Sequence, residues 1–309
     1  MNIVFMGTPD FAVPILKALD ERYNILALIT QPDRKIGRKQ TLQEPPTKRY
    51  AKSQNIPIFQ PQKVTHIRAA ILALKPDIII TAAFGQFLPT ALITAPPYGA
   101  INVHASLLPD LRGGAPIQRA IERGYQKTGV TIMEMAQAMD AGAIIAQAKI
   151  DIAEDETNES LFEKLSHLGT KLLLETLPKY INQELIPHEQ EHQKATYAYN
   201  IKRAEERLDL MRPAIDIERK IRAFYKEPAT YIQLPDGPLK IFKAKWVKTD
   251  NKSAPSVVID VTKDGPLIQC GQDGLVLLEV QPAGKARMSA KQYMNGKGRK
   301  TLAPGTKLG

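Results

Sequence analysis

Over roughly residues 1–150, short runs rich in Ile, Val and Leu alternate with amphipathic stretches, the pattern of a sheet buried on both faces by helices. The apolar runs Asn2–Met6, Ile25–Thr30, Asp77–Ala82, Ala100–His104 and Thr128–Met133 predict parallel strands. Phe11–Arg22 and Ala115–Arg123 predict helices between them, with Pro116 suited to a first helical turn. Leu161, Leu165, Leu168 and Leu172, at three- and four-residue spacing, predict a long helix over Thr157–Tyr180. From Asn182 to Glu206 the chain turns polar and reads as a linker. Beyond it, Pro213–Phe224 predicts one helix, followed by short strands at Thr230–Leu234, Leu239–Trp246, Ser256–Thr262, Leu267–Cys270 and Leu275–Gln281. Asp236-Gly237, Asp264-Gly265 and Asp273-Gly274 punctuate them as turns. The expected fold is α/β: a Rossmann-like parallel-sheet domain over 1–182 with a basic insertion loop at 34–49, a linker at 183–206, and an OB-like β-barrel over 207–309.

Composition narrows this picture. The 309 residues suit two domains, and a 43% hydrophobic share supports folded cores. The longest apolar run, Ile78 to Leu88, is broken by Thr81, Gly85 and Gln86, so no span is expected, and the first ten residues lack a leader's basic and apolar pattern. A single cysteine, Cys270, permits neither an internal disulfide nor a thiolate-rich zinc site, and the expected location is cytoplasmic.

Charge is placed unevenly. The net +10 divides into +2 over residues 1–207 and +8 over 208–309. Residues 34–52 carry seven basic side chains against Glu44, leaving the rest of the first part at −4. Basic clusters on a mildly acidic body point to a polyanion such as nucleic acid, although a solvated face would read the same way. The polar, proline-containing segment 34–49 is expected to lack order in the absence of such a partner.

Several motifs could carry chemistry. His188-Glu189-Gln190-Glu191-His192 satisfies a zinc-peptidase spacing, but Pro187 precedes it, its surroundings lack an apolar face and no third ligand is evident. Gly7-Thr8-Pro9-Asp10 is neither a dinucleotide fingerprint nor a P-loop. Ser106 lacks a nucleophile elbow. More telling is Asn102-Val103-His104, where a buried strand ends in two polar residues that must face one side, at the end of the sheet where such folds hold ligands. An amide and an imidazole converging there could stabilise a tetrahedral oxyanion, or could equally be a satisfied strand end. Asp140, in the glycine turn Met139-Asp140-Ala141-Gly142, could orient His104 or relay a proton, or could bond only its own turn.

These residues fall in the order of a known family. Gly7-Thr8-Pro9-Asp10-Phe11-Ala12, Gln31-Pro32-Asp33-Arg34, Ile101-Asn102-Val103-His104, Ser106-Leu107-Leu108-Pro109, Ala115-Pro116-Ile117-Gln118-Arg119 and Met139-Asp140-Ala141-Gly142 resemble the methionyl-tRNA formyltransferases. So do Ile221-Arg222-Ala223-Phe224 and Gln281-Pro282-Ala283-Gly284-Lys285 in the second domain. The resemblance implies transfer of the formyl group of 10-formyltetrahydrofolate to the α-amine of methionyl initiator tRNA, with no metal. It implies catalytic roles for Asn102, His104 and Asp140, with folate contacts from Ser106, Leu107, Leu108 and Pro109 and from the neighbourhood of Phe84 and Leu88. It also implies tRNA contacts from Arg34, Arg38 and Lys39. A monomer is expected. The motifs around Asn102 and Asp140 are shared by formyltransferases acting on other small amines, so the alternative is a folate-dependent formyltransferase or hydrolase with a different acceptor. Ala143 and Asp110 depart from what relatives more often carry and bear on pocket detail.

Overall fold

The computed structural model describes residues 1–36 and 40–308. They divide into two compact units. The first holds Met1–Pro116, Lys127–Asp151 and Phe162–Tyr199; the second holds Ile117–Gln126, Ile152–Leu161 and Asn200–Gly309.

Through the first part of the chain run β1 (Asn2–Gly7), α1 (Ala12–Asp20), β2 (Asn24–Ile29), β3 (Arg34–Ile36), β4 (Thr41–Gln43), α2 (Pro46–Ser53), β5 (Ile58–Phe59), α3 (Arg68–Ala73), β6 (Ile78–Ala82), α4 (Thr90–Thr94), β7 (Ala100–His104), α5 (Pro116–Glu122), β8 (Lys127–Glu134), β9 (Ile144–Asp151) and α6 (Asn158–Ile181). Seven strands form one sheet in the order β5-β2-β1-β6-β7-β8-β9. The expected strands β1, β2, β6 and β7 pair in parallel, with β5 added at the edge, whereas β8, also expected to be parallel, runs antiparallel to β7, and β9 to β8. Residues 135–143 between β8 and β9 contain no helix to act as a crossover, so the chain returns as a hairpin. The central strands are buried because both sheet faces are covered. Val4, Met6, Ile79, Phe84, Leu88 and Leu92 share one cluster, and α6 packs through a Phe11–Phe162 edge contact at 5.6 Å and a Ser166 hydroxyl donating to the Phe11 carbonyl at 2.8 Å. Among the described residues no helix is long and apolar enough to cross a membrane.

The segment expected to be a linker departs from that reading. His188 bridges Ile144 at the start of β9, and Tyr197 bridges Arg112, so residues up to Tyr199 belong to the first unit. Most of their polar side chains are exposed, but Gln190 is buried and hydrogen-bonded, as described below. In the basic segment, β3 and β4 pair antiparallel and α2 follows; Arg38 and Lys39 lie outside the described residues.

The second unit continues with α7 (Ala214–Ala223), β10 (Thr230–Leu234), β11 (Gly237–Val247), β12 (Val258–Val261), β13 (Pro266–Gln269), β14 (Gly274–Pro282), β15 (Met288–Ser289), α8 (Ala290–Met294) and α9 (Gly298–Thr301). Its strands pair antiparallel in the order β10-β11-β14-β13-β12, with β15 on β14. Each Asp-Gly pair read from the sequence lies at a turn between strands, at β10–β11, β12–β13 and β13–β14. α7 buries Ala214, Ile217 and Ile221 in the same cluster as Ile232, Ile241, Leu275 and Leu277. The β11 ladder is irregular between Ile241 and Lys243, and this bulge resets the alternation so that Lys240, Lys243 and Lys245 are all exposed.

Candidate active site

The site is built on the carboxyl end of β7, where register does most of the positioning. Thr81 of β6 pairs with Asn102, and its buried hydroxyl lies 2.7 Å from Asn102 Oδ1. The hydroxyl proton is the one available on that contact, so Oδ1 accepts and the amide NH2 is left for another partner. His104 pairs with Thr131 of β8 and is 6% exposed. Its Nε2 lies 3.1 Å from the carbonyl oxygen of Leu111. A carbonyl can only accept, so Nε2 carries a proton and Nδ1 is the ring atom left for chemistry.

Asp140 faces that atom, with its Oδ1 3.7 Å from His104 Nδ1, beyond hydrogen-bond length. Its Oδ2 accepts the Gly113 main-chain N–H at 2.8 Å. Asp140 therefore does not close its own turn, the bland reading of a turn aspartate, but reaches a segment 27 residues away. Two backbone positions make this possible. Asp140 has φ of +49°, a left-handed conformation with a conformational cost, and Gly113 has φ of +122°. A Cβ at Gly113 would stand 2.6 Å from the Ala198 carbonyl oxygen, so only glycine fits there.

The turn after β7 is braced from below. Thr131 donates to the Ser106 carbonyl at 2.7 Å and accepts the Leu108 N–H at 3.1 Å, while Gln147 donates to the Leu108 carbonyl at 2.8 Å. Ser106 is fully buried and its hydroxyl donates to the Asp110 carbonyl at 2.5 Å. The Leu108 side chain is also buried, and the accessible surface of this turn comes from Leu107 and Pro109. Leu108–Pro109 is a cis peptide. Asp110 is anchored by Thr196, whose hydroxyl donates to its carboxylate at 3.0 Å. Phe84 and Leu88 are 4% and 7% exposed and pack into the core, whereas Phe87 between them is 70% exposed, so it is this aromatic that the loop offers to a ligand.

Sequence reading missed a group beneath Asp140. Arg112, 4% exposed, donates from Nε and Nη2 to Gln190 Oε1 at 3.1 and 2.6 Å and from Nη2 to His192 Nδ1 at 2.9 Å. Gln190 Nε2 donates to the carbonyls of Asp140 and Gly142 at 2.9 and 2.7 Å. The residues of the zinc-like spacing thus serve another end: His188 sits in a β-bridge and His192 opens a 3₁₀ turn, so no helix brings them together. Among the described residues no group of three or more His, Cys, Asp or Glu could hold a metal ion.

In the basic segment, Lys48 bonds Asp33 at 2.7 Å and Glu44 at 3.3 Å, and Lys52 pairs with Glu44. Hydrogen bonds from Gln60 and Lys48 hold the Asp33 carboxyl below the usual range. Lys48 is partly buried in its pairs, whereas Lys52, Arg34, Lys35 and Arg49 are exposed, with Arg49 donating to the Glu44 carbonyl at 3.3 Å.

Comparison with known proteins agrees with the motif pattern. The formyl transferase family matches residues 1–177, and the formyl transferase C-terminal domain matches residues 200–298. A methionyl-tRNA formyltransferase of Geobacillus sp. (strain WCH70) is 48% identical over 313 residues, covering 100% of this chain and 98% of the relative. That of Bacillus subtilis (strain 168) is 46% identical over 299 residues, covering 96% and 94%. Among solved structures, the methionyl-tRNA formyltransferase of Clostridium thermocellum superposes with a TM-score of 0.54 at 19% identity, covering 81% of this chain and 95% of its own. An N-formyltransferase from Helicobacter canadensis, in complex with folinic acid and dTDP-3-aminofucose, gives 0.66 at 18%, covering 89% and 98%. The two structures speak to the fold alone, and it is the full-length sequence identities that decide the matter: the chain belongs to the methionyl-tRNA formyltransferase family.

Proposed function

We propose that the protein transfers the formyl group of 10-formyltetrahydrofolate to the α-amine of methionyl initiator tRNA, with Asn102, His104 and Asp140 as the catalytic residues. What supports the reading is the set of groups left available at the end of β7: an amide whose oxygen is committed to Thr81, an imidazole whose Nε2 is committed to Leu111, and a carboxylate 3.7 Å from the remaining ring nitrogen.

The neutral amine attacks the formyl carbon, and the carbonyl oxygen becomes an oxyanion. Asn102 donates to it through the NH2 that Thr81 leaves available. His104 faces it through Nδ1, the ring nitrogen that the Leu111 bond leaves available. Asp140, 3.7 Å from Nδ1, orients the ring and assists removal of the amine proton, directly or through a water. Collapse expels the folate nitrogen, which takes up a proton as the formamide forms.

The folate lies against Leu107 and Pro109 and the loop around Phe84 and Leu88. Arg34, Arg38 and Lys39 reach the acceptor end of the tRNA, and the lysine row on β11 provides a further phosphate-binding face in the second unit. Initiator selection rests on an unpaired acceptor end, whose bases can be reached where a closed A-form major groove cannot be read. The protein works in the cytoplasm as a monomer. The test is formation of formyl-methionine from 10-formyltetrahydrofolate and charged initiator tRNA. Transfer indifferent to tRNA would favour a small-amine acceptor; tRNA binding without turnover would favour a non-catalytic role.

A further inference from the structure

We propose that Gln190 is a positioning residue for the formyl-transfer reaction: it fixes the Asp140 turn, and Arg112 fixes Gln190. The proposal rests on the formyl-transfer reading above and adds to it a part of the chain that the sequence presents as a polar linker.

The hydrogen-bond inventory of Gln190 is closed. An arginine can only donate, so the atom facing Nε and Nη2 of Arg112 must be the amide oxygen, and both its acceptor positions are used. The amide nitrogen is then forced to the other side, where its two protons go to the carbonyl oxygens of Asp140 and Gly142. The side chain is 5% exposed, so water cannot substitute readily for any of these four bonds. Arg112 is itself held by His192 Nδ1 and, through its main chain, by the Thr196 carbonyl and the Ala198 N–H.

What Gln190 holds is a strained turn. Asp140 sits at φ of +49°, and a Cβ on Gly142 would stand 2.0 Å from the Glu134 carbonyl oxygen, so that glycine is pressed against the end of β8. Turned into the left-handed region, the Asp140 carbonyl points its oxygen at an amide instead of a ladder partner, and the carboxylate is left facing Gly113 and His104. A carboxylate anchored by a single N–H can rotate. Fixing the main chain beneath it limits that rotation, and a misplacement of about 1 Å at a reacting group can cost on the order of 100-fold in rate.

The test uses the full chain and two variants. Gln190→Met removes every donor and acceptor at constant length. Gln190→Glu keeps the pairing with Arg112 but turns a carboxylate oxygen towards two carbonyl oxygens, so it is expected to fold with the Asp140 turn displaced. Wild-type turnover on methionyl-tRNA is measured first, which separates failure of the activity reading from failure of this one. For both variants kcat should fall at least tenfold while KM for folate and for tRNA stays at the wild-type value. In an Asp140→Asn background, the same Gln190 changes should cost little more, because the two residues act as one unit. Wild-type kcat in the folded Gln190→Glu protein would overturn the proposal. So would an equal loss in the wild-type and Asp140→Asn backgrounds, or a rise in KM with kcat unchanged.

Discussion

His104 is tied to Leu111, not to Asp140: Nε2 lies 3.1 Å from the Leu111 carbonyl oxygen, whereas Nδ1 is 3.7 Å from the nearer Asp140 oxygen. The bond assigns the tautomer, with the proton on Nε2, and leaves Nδ1 as the ring atom that faces the reaction. His104→Gln, which loses that nitrogen, should turn over much more slowly with folate and tRNA saturating; near-normal turnover would remove the ring from the mechanism.

Asn102 and Thr81 form a graded pair. Asn102→Ala removes one oxyanion donor and should raise the barrier by about 2.7–4 kcal/mol. Thr81→Val leaves the amide in place but without the hydroxyl that assigns its orientation. Its cost should be smaller, about 0.5–1.5 kcal/mol, the net value of one hydrogen bond. Turnover of both variants with folate and tRNA saturating gives the comparison, and near-normal turnover of Asn102→Ala would remove Asn102 from the mechanism.

Gly113→Ala tests whether the Asp140 anchor depends on backbone conformation. At φ of +122°, with the Ala198 carbonyl oxygen 2.6 Å from the added carbon, the chain must move. The strain alone is worth about 1–3 kcal/mol, and the displaced segment carries the N–H that holds Asp140. Thermal unfolding should report the loss of stability and kcat a loss beyond it. Unchanged activity in a destabilised protein would show that Asp140 holds its place without Gly113.

Cys270 offers a stability probe in the second unit. The side chain is fully buried, and burial pushes its thiol up to about 12 from an ordinary 9.0. Between those values the unfolded chain releases a proton that the folded chain keeps, so stability should fall as pH rises above about 9. At neutral pH a thiol reagent should label the native protein only through opening of this unit, with labelling accelerated by denaturant. Rapid labelling without denaturant would contradict the burial.

The strand that carries the chemistry was legible because its pattern is local. The apolar run Ala100–His104 ends as read, and alternation places Asn102 and His104 on one side. Their partners were not legible, since Thr81 and Thr131 look like ordinary strand threonines until register sets them beside Asn102 and His104. The antiparallel course of β8 and β9 likewise depends on where the chain turns. The 183–199 segment misled for a physical reason. It holds one buried polar side chain, Gln190, bonded to Arg112 and to main-chain carbonyls, and polarity in a sequence does not distinguish such a group from the solvated ones around it. Phe84 and Leu88 were placed near a ligand by resemblance, and their burial shows that much of their conformation is set by packing.

The basic hairpin yields the prediction that separates tRNA recognition from catalysis. Lys48 and Lys52 have acidic partners, so neutralising them should disturb the local fold more than tRNA binding. Arg34 is exposed on β3, and together with Arg38 and Lys39 it makes up the part of the segment assigned to phosphate binding. Replacing these three with Gln should raise KM for methionyl-tRNA and leave KM for 10-formyltetrahydrofolate unchanged. For every phosphate that the protein no longer neutralises, the slope of log affinity against log salt should fall by about 0.7–0.9, so the triple variant should bind tRNA with a slope shallower by about 2–3. Salt titrations of tRNA binding measure this directly. An equal rise in both KM values, with the salt slope unchanged, would make the hairpin a structural element and shift tRNA recognition to the exposed lysines of β11.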